Sequence, residues 1–535
     1  MATTAAELGE AYATGGAALE LGAVVVDGVA HPDARVRMPL SMLNRHGLVA
    51  GATGTGKTKT LQLMAEQMSS AGIPVFLADI KGDVSGMAAP GTSSDRVLSR
   101  AAETGTTWTP TGFPVEFLAL GGLGEGVPVR ATMTSFGPVL LSKVLGLNPT
   151  QESSLGLVFH FADRAGLPLL DLKDLRAVIA HLTSDEGKAE LAGLGGLSKA
   201  TAGVILRELV GLEAAGGDVF FGEPELDTAD LMRLTPDGQG VLSVMGLSAV
   251  QDRPELFSTF LMWMLADLFA DLPEVGDVDK PRLVFFFDEA HLLFDDASEA
   301  FLDAIARTVR LIRSKGVGVF FVTQTPKDVP AEVLAQLGNR VQHALRAFTP
   351  DDAKALKATV GTFPRSEAYD LSELLTSMGI GEAAVTVLSE RGTPTPVAWT
   401  RLRPPASLMA ALDPAEHARI VQASALLAQY GTPVDRESAY ERLLAKVSPE
   451  PEPEAAGREH GGREAVDREA VDREAVRRPA PARAPREEPS GLQKVLASSV
   501  FRSFARSAAS AAGREISRSL FGTAPRRRPR RRGSW

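Results

Sequence analysis

The sequence predicts an α/β protein with a mostly parallel sheet that carries a phosphate-binding loop. Three observations predict it. From His46 onward, apolar strand-like runs alternate with Gly-rich turns and helical segments, the texture of a sheet covered by helices on both faces. The stretch GATGTGKT, Gly51–Thr58, lies between such a strand and such a helix. A wholly apolar run, LVFFF at Leu283–Phe287, leads straight into the two acids Asp288 and Glu289.

Residues 1–45 read as a short, Gly- and Ala-rich N-terminal segment with one strand-like run, Ala23–Val26, too short for a barrel domain of its own. The main domain then spans 46–447. Its first unit is the strand HGLVAG, the loop and a helix around Lys59–Met68. Further central strands are expected at Ile73–Asp79, Gly240–Met245, Leu283–Phe287 and Val317–Val322, because runs that apolar suit strands buried on both faces. Between them, about 138–234, strand texture is missing and apolar residues fall at helical spacing (Leu155, Val158, Phe159, Ala162), so a helical insertion is expected. From 448 to 490 the composition turns to Pro, Glu, Ala and Arg with a REAVD repeat, which suits a charged disordered linker or a short solvated helix. Residues 491–535 place Leu496, Val500 and Phe504 at helical spacing among arginines and run into RRRPRRR, a basic amphipathic helix and Arg-rich, disordered tail.

The loop fits G-x-x-x-x-G-K-[ST], and each position has a physical reason. Gly51, Gly54 and Gly56 let backbone amides turn inward around a phosphate, with Ala52, Thr53 and Thr55 completing the cradle. Lys57 reaches the β- and γ-phosphates of ATP, the Thr58 hydroxyl is a ligand for Mg2+, and Lys59 opens the helix whose N-terminus favours negative charge. At the end of the apolar strand Leu283–Phe287, Asp288 is placed to hold Mg2+ and Glu289 to polarise the attacking water. The competing reading of those acids is a strand end capping the following helix. His291 reads as a packing or hydrogen-bonding residue. The run VFFVTQTP puts Gln324 at the same sheet edge, where it is a candidate sensor of the γ-phosphate. Arg45, Arg310, Arg313 and Arg340 are candidates for the arginine that phosphoryl transfer often takes from a neighbouring subunit, although a surface ion pair is the ordinary role of such residues. Asp79 and Asp83 in LADIKGD suit either the nucleotide edge or a turn.

Composition narrows the function classes. The 535 residues contain no cysteine, which excludes disulfides and Cys-ligated metal centres. The leader lacks a basic region and no apolar run reaches membrane-spanning length, the best being Phe257–Phe269, interrupted by Asp267; a cytoplasmic protein is expected. The net charge of −10 divides into +10 on residues 491–535 and −20 on the rest. An acidic body argues against a broad nucleic-acid-binding outer surface, while the tail suits phosphodiesters or an anionic membrane.

In order, NRHGLVAGATGTGKT, LADIKGD, VFFFDEAH, GVGVFFVTQTP and LGNRVQHALR resemble the HerA/FtsK group of P-loop ATPases, and within it the YjgR-like HerA C-terminal-domain proteins, over roughly residues 20–445. The resemblance implies a RecA-like fold, a homo-hexameric ring with ATP between subunits, and duplex DNA moved through the pore. It implies that Lys57 and Thr58 bind phosphate and Mg2+, that Asp288 and Glu289 are the hydrolytic acids and Gln324 the sensor. Arg45 would then be the arginine finger and Arg313 a second catalytic arginine. The N-terminal β-barrel by which HerA translocases dock a nuclease is not expected in so short a leader. The alternative is therefore an ATPase that does not translocate DNA and instead remodels or scaffolds a protein or membrane-associated partner.

Overall fold

In the computed structural model, residues 4–191, 198–295 and 299–447 are described. The linker and basic tail expected at 448–535 lie outside them. Twelve strands form one sheet: β1 (Ala18–Val26), β2 (Val29–Pro39), β3 (Gly47–Ala50), β4 (Val75–Asp79), β5 (Val115–Leu120), β6 (Val127–Val129), β7 (Leu242–Gly246), β8 (Leu283–Phe287), β9 (Val317–Thr323), β10 (Asn339–Gln342), β11 (Glu382–Thr386) and β12 (Ala398–Leu402). Their order is β2-β1-β12-β11-β10-β3-β9-β8-β4-β7-β5-β6. From β10 through to β6 every pairing is parallel, and from β11 outward to β2 every pairing is antiparallel.

The central strands sort their side chains by the two-residue period of a pleated sheet. Leu283, Phe285 and Phe287 of β8, with Val317, Val319 and Phe321 of β9, enter the core on one face. Val284, Phe286, Phe320 and Val322 enter the core on the other. Phe286 and Phe320 stack at 5.2 Å between centroids, and Phe287 and Phe321 lie 5.6 Å apart. Each such ring, fully buried, stabilises the fold by about 1.5–3 kcal/mol. Gly47 is required beneath this layer, since a Cβ there would stand 2.2 Å from the Phe320 ring.

The first face is covered by helices. α1 (Ala5–Ala11), α2 (Lys57–Ser70) and α3 (Asp95–Glu103) precede them; α4 (Met133–Val144), α5 (Pro149–Arg164), α6 (Leu172–His181), α7 (Asp185–Glu190), α8 (Lys199–Ala214) and α9 (Gly217–Phe220) occupy the stretch where a helical insertion was expected. α10 (Pro254–Asp271) and α11 (Glu299–Ile312) complete that layer. α10 contains the longest apolar run of the sequence and is a core helix, with Phe257, Phe260 and Trp263 buried. Its Asp267 accepts a 2.8 Å hydrogen bond from the Thr228 hydroxyl, which satisfies the one acid in that run. Among the described residues no helix is long and apolar enough to cross a membrane.

The N-terminal segment holds more structure than the single expected strand. α1 is closed by a capping box between Thr4 and Glu7, and β1 and β2 form an antiparallel pair that β12 joins to the main sheet. β2 escapes sequence reading because its first half, VAHPDA, is largely solvent-facing and proline-bearing, as an edge strand tolerates.

Candidate nucleotide site

β3 is four residues long, and at its carboxyl end the chain turns through Gly51–Thr58 into α2. Both neighbouring strands hold this loop. Gly51 N–H donates to Thr323 O at the end of β9 (3.2 Å), and Ala52 N–H donates to Ala344 O just past β10 (2.9 Å). Inside the loop the Thr55 hydroxyl donates to Ala52 O at 2.7 Å, and Gly381 N–H donates to Thr55 O at 3.0 Å. Gly54 (φ +79°) and Gly56 (φ +112°) adopt backbone conformations that an L side chain resists, and a Cβ on Gly51 would fall 2.4 Å from His343 Cβ. The loop is therefore a concave run of backbone amides at a helix N-terminus, the geometry that receives phosphate.

Lys57 is buried and curls over the loop, donating to Gly51 O at 2.6 Å and Ala52 O at 3.3 Å. Burial lowers its ammonium below the ordinary value, and the Glu289 charge opposes that shift. Thr58 is half-buried on the first turn of α2, while Thr53 and Gly54 are exposed at the loop tip. Lys59 donates to Gln62 Oε1 at 3.3 Å; burial lowers it too, against the charges of Asp83 and Asp79.

β9 lies between β3 and β8, so Asp288 and Glu289 sit one strand removed from the loop, at the same sheet edge. Asp288 Oδ1 accepts from Glu289 N–H at 2.9 Å, whereas Oδ2 is buried with no hydrogen-bond partner. Burial, and next the Glu289 charge, push its carboxyl up to about 7. A buried, half-satisfied carboxylate costs free energy unless a cation approaches it. With the Thr58 hydroxyl it fits Mg2+, which takes one or two protein oxygens and fills the remaining positions with substrate oxygens and water. Among the described residues no group of three or more histidines and acids could hold a metal ion.

Glu289 adopts a left-handed backbone (φ +46°), uncommon for a glutamate, and is 5% exposed. Burial works to raise its carboxyl, but the hydrogen bond and charge of Lys81, followed by His291 and Lys57, hold it below the usual range. His291 Nδ1 stands 3.4 Å from Glu289 Oε2 without hydrogen-bond alignment. Gln324 is exposed immediately after β9, level with Gly51, since Ala50 pairs with Thr323. The Thr323 hydroxyl donates to Asp328 Oδ2 at 2.7 Å, which fixes the chain just before and after Gln324.

The structure thus brings Gly51–Lys59, Asp288, Glu289 and Gln324 to one edge. It places Arg45 and Arg313 at the other. Arg45 directly precedes His46 at the amino end of β3, and Arg313 precedes β9; the length of β3, about 13 Å at 3.3 Å per residue, separates Arg45 from the loop. Arg45 Nη2 is 2.9 Å from Asp277, and the Arg45 charge acts on Arg313. Between them His46 is buried and pushed down to about 4, chiefly by burial, and its Nδ1 accepts from Val319 N–H at 3.1 Å. Arg310 lies on α11, and Arg340 within β10, where it donates to Thr362 O at 3.2 Å.

Asp79 is a turn former: it accepts from Gly82 N–H at 2.8 Å and Val84 N–H at 3.3 Å. Asp83 keeps a buried, unpartnered Oδ1. Two residues went unassigned in the sequence. Lys81, inside LADIKGD, is paired with Glu289. His343, inside LGNRVQHALR, is wholly buried under the loop, with Nε2 2.8 Å from the Thr60 hydroxyl, and burial drives it down to about 4, so it is a neutral post. No local sequence signal marks it, because its place follows from the pairing of β10 with β3.

The family described as Helicase HerA-like C-terminal matches residues 26–530. The chain belongs to that family. Among curated proteins, the probable helicase MJ1565 of Methanocaldococcus jannaschii is 34% identical over 113 residues, a stretch covering 20% of each chain, so the chain spans about a fifth of that relative's length. Among solved structures, the plasmid coupling protein TrwB in complex with the non-hydrolysable ATP analogue ADPNP superposes with a TM-score of 0.50 at 16% identity, covering 77% of this chain and 95% of that one. TrwB in complex with the GTP analogue GDPNP gives the same TM-score, identity and coverage. At that identity the likeness is one of fold: this HerA-like chain has the RecA-like P-loop architecture.

Proposed function

We propose that the protein is a Mg2+-dependent ATPase of the HerA/FtsK type that assembles as a homo-hexameric ring and couples hydrolysis to the movement or remodelling of duplex DNA. The observation that carries the ATPase reading is the buried pair Asp288–Glu289, one strand away from the phosphate loop and level with it, with one oxygen of each carboxylate lacking a hydrogen-bond partner. In this reading the loop amides and Lys57 bind the β- and γ-phosphates, and Lys59 adds positive charge at the start of α2. Thr58 and Asp288 would hold Mg2+, which when bound neutralises phosphate charge. Glu289 accepts a proton from the attacking water, and Gln324 orients the water or senses the γ-phosphate.

Arg45 and Arg313 support the ring. Placed across the sheet from their own loop, they serve only a nucleotide held by a neighbouring copy, the logic of a finger supplied in trans. Arg45→Ala subunits, inactive alone, are expected to regain turnover when mixed with Lys57→Ala subunits, because each supplies what the other lacks. An active enzyme that is strictly monomeric in sedimentation sinks the finger assignment.

The partner is tested by ATP turnover of the full chain and its Lys57→Ala control, with and without duplex DNA, at two salt concentrations. Stimulation by DNA that fades as salt rises is expected for a translocase, because phosphate contacts release counterions. Turnover indifferent to DNA favours the second reading, an ATPase acting on a protein or on an anionic membrane through the basic tail. The charge of −20 on residues 1–490 is the observation on its side.

A further inference from the structure

Glu289 has two carboxylate oxygens in different situations. Oε1 is paired with Lys81 Nζ, in a bond that joins the turn after β4 to the end of β8. Oε2 is buried without a hydrogen-bond partner, with His291 Nδ1 at 3.4 Å and out of line. Both supports of the pair are stiff. β4 and β8 are adjacent parallel strands with Ala78 opposite Phe287, and Asp288 N–H donates to Ala78 O at 3.3 Å. The Lys81 turn is pinned by Asp79, which binds the amides of Gly82 and Val84 on either side of Asp83. Lys57 faces Glu289 as a charge, but its ammonium is engaged with the carbonyls of Gly51 and Ala52.

We propose that Lys81 is a positioning residue for Glu289: by fastening Oε1 it fixes the carboxylate rotamer so that Oε2 is presented to the water that attacks the γ-phosphate. This rests on the ATPase reading above. A glutamate has three side-chain torsions, and a bond from a second strand restrains them here. General-base catalysis demands that selection, since displacement of a reacting group by about 1 Å costs about 10²-fold. The side chain of Lys81 is 46% exposed against 7% for Glu289, so its removal opens no core cavity.

The test compares the full-length wild type with Lys81→Met, Lys81→Arg, Glu289→Gln and the double variant Lys81→Met/Glu289→Gln. It measures kcat, ATP affinity by titration with a fluorescent ATP analogue, and thermal unfolding. Lys81→Met is expected to lose about 10²-fold in kcat with unchanged affinity and unfolding temperature. Lys81→Arg should recover most of the loss, and the double variant should be no slower than Glu289→Gln alone. Faster turnover by Lys81→Met would mean that the pair restrains the enzyme, and weaker nucleotide binding that Lys81 contacts phosphate; either overturns the proposal, as does an additive loss in the double variant. Should Lys81→Met misfold, Lys81→Arg carries the test: it must keep both affinity and most of kcat. If Glu289→Gln turns over like the wild type, the ATPase assignment of Glu289 itself is wrong. An inactive Glu289→Gln beside a fully active Lys81→Met removes only the role of Lys81.

Discussion

Glu289→Gln is expected to bind ATP as the wild type does and to hydrolyse it about 10²- to 10⁴-fold more slowly, the range that a positioned general base contributes. The substitution is nearly isosteric. The amide oxygen still accepts from Lys81, and the left-handed backbone at this residue is left in place. What is lost is the basic oxygen, so the defect should appear in kcat and in single-turnover hydrolysis, with titration of a fluorescent nucleotide unchanged. Normal turnover by this variant would transfer the water-activating role to another group at the same edge.

Lys57→Ala is expected to act one step earlier. A charge-assisted hydrogen bond contributes about 1.5–3 kcal/mol, and Lys57 is placed to make such bonds to two phosphates, so ATP affinity should fall by about two orders of magnitude or more. Lys57 donates to the buried Gly51 O and the half-buried Ala52 O, and the loop remains anchored through Thr323 O and Ala344 O without it. The unfolding temperature should therefore barely move while nucleotide-dependent stabilisation disappears. A Lys57→Ala protein whose melting temperature still rises with ATP would place the nucleotide elsewhere.

The parts of the molecule that sequence reading reached share one physical property. β3, β4, β7, β8 and β9 are buried on both faces, so apolar residues dominate them, and they read as nearly continuous apolar runs. β10 is as deeply placed but spells Asn-Arg-Val-Gln. Its Asn339 amide donates to Met42 O and His46 O and accepts from Leu388 N–H, all long-range bonds that make polarity affordable there and that no local pattern displays. β12 alternates buried Ala398, Thr400 and Leu402 with half-buried Trp399 and Arg401, a one-sided signal too short to stand out. β6 has three residues, one of them proline.

The site divides the same way. Gly51–Thr58 and Asp288–Glu289 are visible because each proposed role is confined to a contiguous motif at the end of a strand. The pairing of Lys81 with Glu289 depends on β4 lying beside β8, a fact of topology. His343 supports the loop only because β10 lies beside β3. The arginines illustrate the converse: their sequence positions, just ahead of β3 and β9, were plain, but that they face away from their own loop follows from strand direction alone.

The antiparallel half of the sheet has a consequence for how the chain is made. β1 is held on one side by β2 and on the other by β12, where Gly22 is the partner of Leu402, about 380 residues later. On a ribosome adding about 5–20 residues per second, the outer side of the β1–β2 hairpin waits for roughly 20–80 seconds before its neighbour exists. During that interval an unpaired strand edge bearing Leu21, Ala23 and Val25 is available to any other nascent chain. Closure of the antiparallel half of the sheet is thus a late, non-local event.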